Sequence, residues 1–241
     1  MSVLMKKLFL ISCLIPVLLS ACNSKCIEDS GIHKEHNTTV KNFDKIEVSG
    51  AIKLILRQDS SYAVKVATDS ALMDYVKIEV SNSRLIVKLK EVSYCGKDSV
   101  VVEAGIGRLR ELTASGAIST SAIGSVFADD LKLSLSGTSD LRMDLKAASL
   151  VTNLDGISKL NLSGQTGTHQ LNIQGNADVE AFNFTVGIYK IQVTGNAKAK
   201  INVLNELDIK TEGASEIFYK GNPKKINEKK SGAATLEKVN L

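Results

Sequence analysis

The chain has 241 residues, 44% of them hydrophobic and 5% aromatic, and carries 30 Lys and Arg against 26 Asp and Glu, a formal net charge of +4. That length suits one domain with a sizeable core, and so small a positive excess argues against a nucleic-acid partner, which would need many phosphate contacts. With no tryptophan and few aromatic rings, platforms for stacking bases or sugars are scarce.

The first residues read as an address. Lys6 and Lys7 precede an apolar run from Leu8 to Leu19, short for a final membrane helix. The run ends in Leu19-Ser20-Ala21-Cys22, which resembles the lipobox of bacterial lipoproteins. Residues 1–21 are therefore expected to be a signal peptide and Cys22 the lipidated first residue of a mature chain of 220 residues with formal charge +2. The expected location is the bacterial cell envelope, lipid-anchored, at the outer membrane. Cys13 leaves with the signal, so Cys26 and Cys95 remain in an oxidising compartment, where a pair usually bonds.

Residues 22–42 are polar and without periodicity, and are expected to be the lipidated cysteine and a tether. Within them His33-Lys34-Glu35-His36 has too few further ligands nearby to suggest a metal site. A first strand pair spans Phe43 to Leu56 around Ser49-Gly50. Apolar alternation then marks strands at Ala63–Val66, Val76–Val80 and Leu85–Leu89, followed by Val100–Val102. Ser70 to Tyr75 is the one helix candidate, about a turn long.

From there the chain repeats. Turn glycines stand at Gly50 and then at Gly116, Gly137, Gly156, Gly175, Gly195, Gly213 and Gly232, the last six gaps being 21, 19, 19, 20, 18 and 19 residues. A period near twenty marks a stacked architecture in which each unit buries its apolar face against its neighbours. Two residues before the glycines come Ala114, Leu135, Leu154, Ile173 and Val193; four after come Leu141, Leu160, Val179, Ala199 and Ile217. Apolar residues at every second position make this strand, not helix. Two after the glycine the residue is often small, as in Ser139, Ser158, Ala177, Ala197 and Ser215, which suggests a tight inner corner. The prediction is an all-β, single-domain parallel β-helix over residues 43–241. It has about 19–20 residues per rung, a right-handed winding and an irregular N-terminal strand region.

Three residues after the glycines come Asp140, Lys159, Asp178, Lys198 and Glu216, a ladder whose sign alternates. Stacked at about 4.8 Å, opposite charges support pairing. This is either a charged binding stripe or a register-setting ladder, and alternation favours the second because it cancels the field that a binding stripe needs.

No catalytic motif emerges. Gly105-Ile106-Gly107 lacks the third glycine of a dinucleotide loop, there is no Gly-x-Ser-x-Gly elbow, and no carboxylate pair stands out. His169 falls inside a rung. The rungs have nearly constant length, with no insertions to wall an active cleft. No cofactor, metal site or catalytic residue is expected.

Phe43-Asp44-Lys45-Ile46-Glu47-Val48-Ser49-Gly50 followed by Ile52-Lys53-Leu54 resembles the opening of the family described as putative auto-transporter adhesin, head GIN domain. Leu72 through Leu89 resembles its second segment, and Gly221-Asn222-Pro223-Lys224-Lys225 its C-terminal pattern. The resemblance covers residues 43–238 and implies a β-helix lipoprotein of the envelope, with no catalytic residues to carry over. The expected function is non-catalytic, a rigid module for surface binding or adhesion. Its partners would be the membrane through the anchor, a glycan or an envelope protein, or another copy of itself. The alternative is a carbohydrate-active lyase or hydrolase on the same scaffold.

Overall fold

In a computed structural model, residues 26–240 are described; the expected signal peptide and Cys22 lie outside them. The first strands are β1 (His33–Thr39), β2 (Lys45–Gln58) and β3 (Ala63–Asp69), followed by one short helix, α1 (Ser70–Met73). Then come β4 (Val76–Ser81), β5 (Arg84–Leu89), β6 (Val100–Ile106), β7 (Glu111–Lys220), β8 (Lys225–Ser231) and β9 (Ala234–Lys238). The protein is all-β, one domain with a curled sheet. None of the described helices is long and apolar enough to cross a membrane.

β7 is 110 residues of continuously extended chain. Its glycine corners turn the chain without interrupting backbone pairing, so it lies on itself. β2 runs parallel to its start, with Gly50 opposite Gly116 and Ile52 opposite Ile118. β8 and β9 run parallel to its end, with Ser215 opposite Ala234 and Ile217 opposite Leu236. Every second side chain points inward, and Leu54, Leu133, Leu141, Leu160, Leu171 and Val203 are fully buried in one continuous core.

The 65 residues between Gly50 and Gly116 are an excursion that leaves from β2 and returns beside it. The first half of β2 pairs with β5 and the second half with β6, both parallel. β4 closes a hairpin on β5 through Asn82 and Ser83, at φ of 51° and 57°. Two consecutive positive φ values give the turn whose twist matches that of the flanking strands. This end of the sheet is thus covered. The other end, β8 and β9, pairs among the described residues with β7 alone and carries Lys225, Glu228, Lys229, Lys230, Glu237 and Lys238, charges that discourage further strand addition.

The segment expected to be a tether is different. Residues 33–39 form β1, antiparallel to β3 from His33–Asp69 to Thr39–Ala63. Six of its seven side chains are exposed, so its pairing rests on backbone groups and leaves no apolar alternation to read. The Asp69 carboxylate fixes the entry: it accepts from the backbone N–H of Ala71 (2.8 Å), Ser30 (3.1 Å) and Gly31 (3.1 Å). The Ala71 bond first, then those to Ser30 and Gly31, hold its carboxyl below the usual value. Cys26 and Cys95 are joined by a disulfide, with Cα atoms 5.7 Å apart, beside the Ile27–Tyr94 bridge. The described residues ahead of position 43 are therefore tied to the sheet by β1 and the disulfide.

Candidate functional site

The turn glycines form a column. Gly137 has φ +83°, and a Cβ there would lie 2.5 Å from the Gly116 carbonyl oxygen; Gly213 has φ +126° and would meet Gly195 O at 2.2 Å. Glycine is required twice over, by a left-handed backbone and by the strand beneath it. With no side chains along this line, a furrow opens on each side.

The larger groove, about 970 Å³, follows the column. Each turn supplies the three residues after its glycine, such as Thr138-Ser139-Asp140, Ile157-Ser158-Lys159 and Asn176-Ala177-Asp178. The middle residue of each triplet points into the core. Ser139, Ser158 and Ser215 are buried there, and their hydroxyls have no hydrogen-bond partner. Asn196 donates to Asn176 across one turn (3.0 Å) on the groove's rim.

The five charges of the ladder line one wall of this groove. Only its last step closes: Lys198 Nζ is 3.6 Å from Glu216 Oε2. Asp140 pairs within its own strand with Arg142 (2.7 Å). A tighter rung-to-rung pair stands two residues further from the glycines, Lys200 Nζ to Glu180 Oε1 at 2.7 Å. That bond to Glu180, with the Asp178 charge nearby, raises the Lys200 ammonium. Replacing Asp178 by Lys sets like charges beside Lys159, Lys198 and Lys200. We expect a loss of up to about 1 kcal/mol in urea denaturation at low salt, shrinking at 1 M salt, where the screening length is about 3 Å. A loss independent of salt would show that these residues do not interact through charge.

The second groove, about 570 Å³, lies before the glycines. Three positions upstream stand Thr113, Ser134, Asn153, Asn172 and Gln192; one upstream stand Ser136, Asp155, Gln174 and Thr194. Asn172 Nδ2 donates to Asn153 Oδ1 (2.8 Å) and its own oxygen accepts from Gln170 (3.4 Å). Only Asp155 is charged among them. The template of inward residues passed over this face. Reading the third position before each glycine down the repeats would have found it.

His169 is a rung residue inside the core, 1% exposed. Its Nε2 meets Thr152 Oγ1 at 2.9 Å, its ring packs against Tyr189 and Phe184, and Nδ1 has no partner. Burial pushes it down to about 3 and pushes the Tyr189 hydroxyl up. Neither reaches a groove, so this pair belongs to packing. His33 Nδ1 lies 3.1 Å from Asp98, and among the described residues no cluster of metal-ligating side chains forms.

A search of curated proteins finds no match. Among solved structures, a "putative adhesin" from Bacteroides fragilis NCTC 9343 superposes with a TM-score of 0.79 at 17% identity, over 88% of this chain and 100% of that one. A second "putative adhesin", from Parabacteroides merdae ATCC 43184, gives 0.66 at 21% identity over 89% and 99%. A "putative lipid binding protein" from Parabacteroides distasonis ATCC 8503 gives 0.66 at 18% identity over 90% and 100%. At these identities the likeness is one of fold. The family model described as "Putative auto-transporter adhesin, head GIN domain" matches residues 42–223, most of the chain, and the protein belongs to that family.

Proposed function

We propose that this protein is a non-catalytic binding module of the cell envelope, a right-handed β-solenoid held to the outer membrane by a lipid on Cys22. The observation that carries the reading is the groove of about 970 Å³ built from equivalent positions of successive glycine turns. A site that repeats with the backbone presents its side chains at a regular spacing along an extended line. That suits an extended or repeating ligand better than a small substrate. The glycine column and the parallel register at both ends of β7 support a helical winding, and right-handed crossovers are the rule for parallel strands. Two solved relatives named as adhesins and one named as a lipid-binding protein fit a surface-binding role; none points to a lyase or hydrolase.

The test is a binding screen of the mature chain against envelope glycans, lipid vesicles and envelope proteins, with product analysis of every hit. Binding without turnover is expected. Release of cleavage products would overturn the reading. In cells, Cys22→Ser should abolish acylation and block removal of residues 1–21; normal processing and membrane attachment of the variant would remove the anchor.

A further inference from the structure

We propose that the amide- and hydroxyl-rich face before the glycine column is the binding site for a neutral linear glycan. This rests on the binding-module reading but places a ligand on the second groove, not on the larger one that carries that reading. In a chain with 23% charged residues, the outward positions one and three before the glycines, from Thr113 to Thr194, carry hydroxyls and amides, with Asp155 the one charge. On the next turn the same two positions are Lys210 and Glu212, so the neutral stretch has an end.

The chemistry of the face matches one class of polymer. A neutral sugar presents hydroxyls that both donate and accept, and an amide or hydroxyl side chain does the same. An ionised side chain left facing such a ligand would lose water without gaining a partner charge. With one carboxylate and no basic side chain, the lining fits a neutral ligand and not an acidic polysaccharide, a lipid headgroup or nucleic acid, each of which calls for Lys or Arg. Nor do these outward positions hold the aromatic or large apolar anchors typical of protein interfaces.

Spacing adds a second argument. The turns repeat at about 4.8 Å, close to the length of one pyranose unit. A chain lying along the column would offer each successive sugar to the next turn's pair of side chains. The Asn153–Asn172 bond across one turn holds the central amides in one orientation, while Gln174, Gln192 and Thr194 are exposed. Without aromatic stacking each sugar contributes little, so affinity should grow with oligosaccharide length.

The experiment is titration of the isotopically labelled mature chain with neutral linear hexasaccharides of glucose, mannose and xylose, and with an acidic galacturonate hexasaccharide, followed by side-chain amide NMR signals. We expect at least one neutral hexasaccharide to shift the amide signals of Asn153, Asn172, Gln174 and Gln192 at millimolar concentration. Its trisaccharide should bind more weakly, and the galacturonate should bind at least about tenfold more weakly. Asn172→Ala with Gln192→Ala should weaken binding about tenfold, and Thr194→Lys should do the same without changing the melting temperature. Shifts confined to Asn176 and Asn196 would place the ligand in the other groove, overturning this inference while leaving the binding module standing. Equal binding of the acidic sugar, or no shift with any neutral one, overturns it too. So does concentration-dependent broadening at this face without ligand, which would make its occupant a second copy of the chain.

Discussion

Gly175→Ala is expected to cost about 2–5 kcal/mol, a large fraction of the stability of an ordinary domain. Gly175 has φ +104°, and a Cβ there would stand 2.5 Å from the Gly156 carbonyl oxygen. The two contributions can be measured apart in this same chain. Gly124 has φ +76°, but a Cβ there would meet nothing within 4 Å, so Gly124→Ala should cost only backbone strain, about 1–2 kcal/mol. Gly187 lies outside the left-handed region, yet its Cβ would come within 2.6 Å of Gly167 O. Gly187→Ala should therefore cost overpacking alone, about 1–3 kcal/mol. The obstacle is a backbone oxygen of a paired strand, which cannot turn away as a side-chain end would. Urea denaturation of the three variants decides: Gly175→Ala costing no more than Gly124→Ala would mean that the column is not tightly stacked.

The same column explains which parts of the fold could be read in advance. A positive φ and a stacked backbone demand glycine at every turn, so the requirement recurs in the sequence with the period of the structure. Inward leucines and valines recur for the same reason. β1 left no such trace, because it is held by backbone pairing and its outward side chains are free to vary. The meeting of Cys26 with Cys95 depends on how β1 and the segment after β5 are laid against the sheet, which no local pattern encodes. The ladder positions were legible as outward. Which charges close was not, because Arg142 and Lys200, two residues further along, draw on Asp140 and Asp178. Ser139, Ser158 and Ser215 were legible as small, but nothing in the sequence marks their hydroxyls as unpartnered; Ala177 and Ala197 fill the same position.

The buried histidine should make this protein acid-sensitive well above the carboxylate range. His169 sits in the core between turns, with Thr152 as its hydrogen-bond partner and Nδ1 unsatisfied. Burial disfavours the imidazolium and lowers its pKa from 6.5 to about 3. The folded state therefore binds fewer protons than the unfolded chain between those values. Its stability is intact above about pH 6.5 and falls as pH drops, by up to about 1.4 kcal/mol per pH unit and about 5 kcal/mol at the acid limit. Carboxyls held low, such as Asp69 and Asp59, contribute in the same direction but only once pH approaches their ordinary value near 3.8. The interval from pH 6 to 4.5 thus belongs mainly to the histidine. His169→Leu alone would strand the Thr152 hydroxyl, so the informative variant is His169→Leu with Thr152→Val. Urea denaturation between pH 7 and 4.5 should give a nearly flat profile for the double variant and a falling one for the parent. Between pH 7 and 4.5 the stability difference between the two should shift by about 2–3 kcal/mol in favour of the double variant. Parallel profiles would mean that His169 titrates as it does in water, through an opening of the core that admits solvent to its ring.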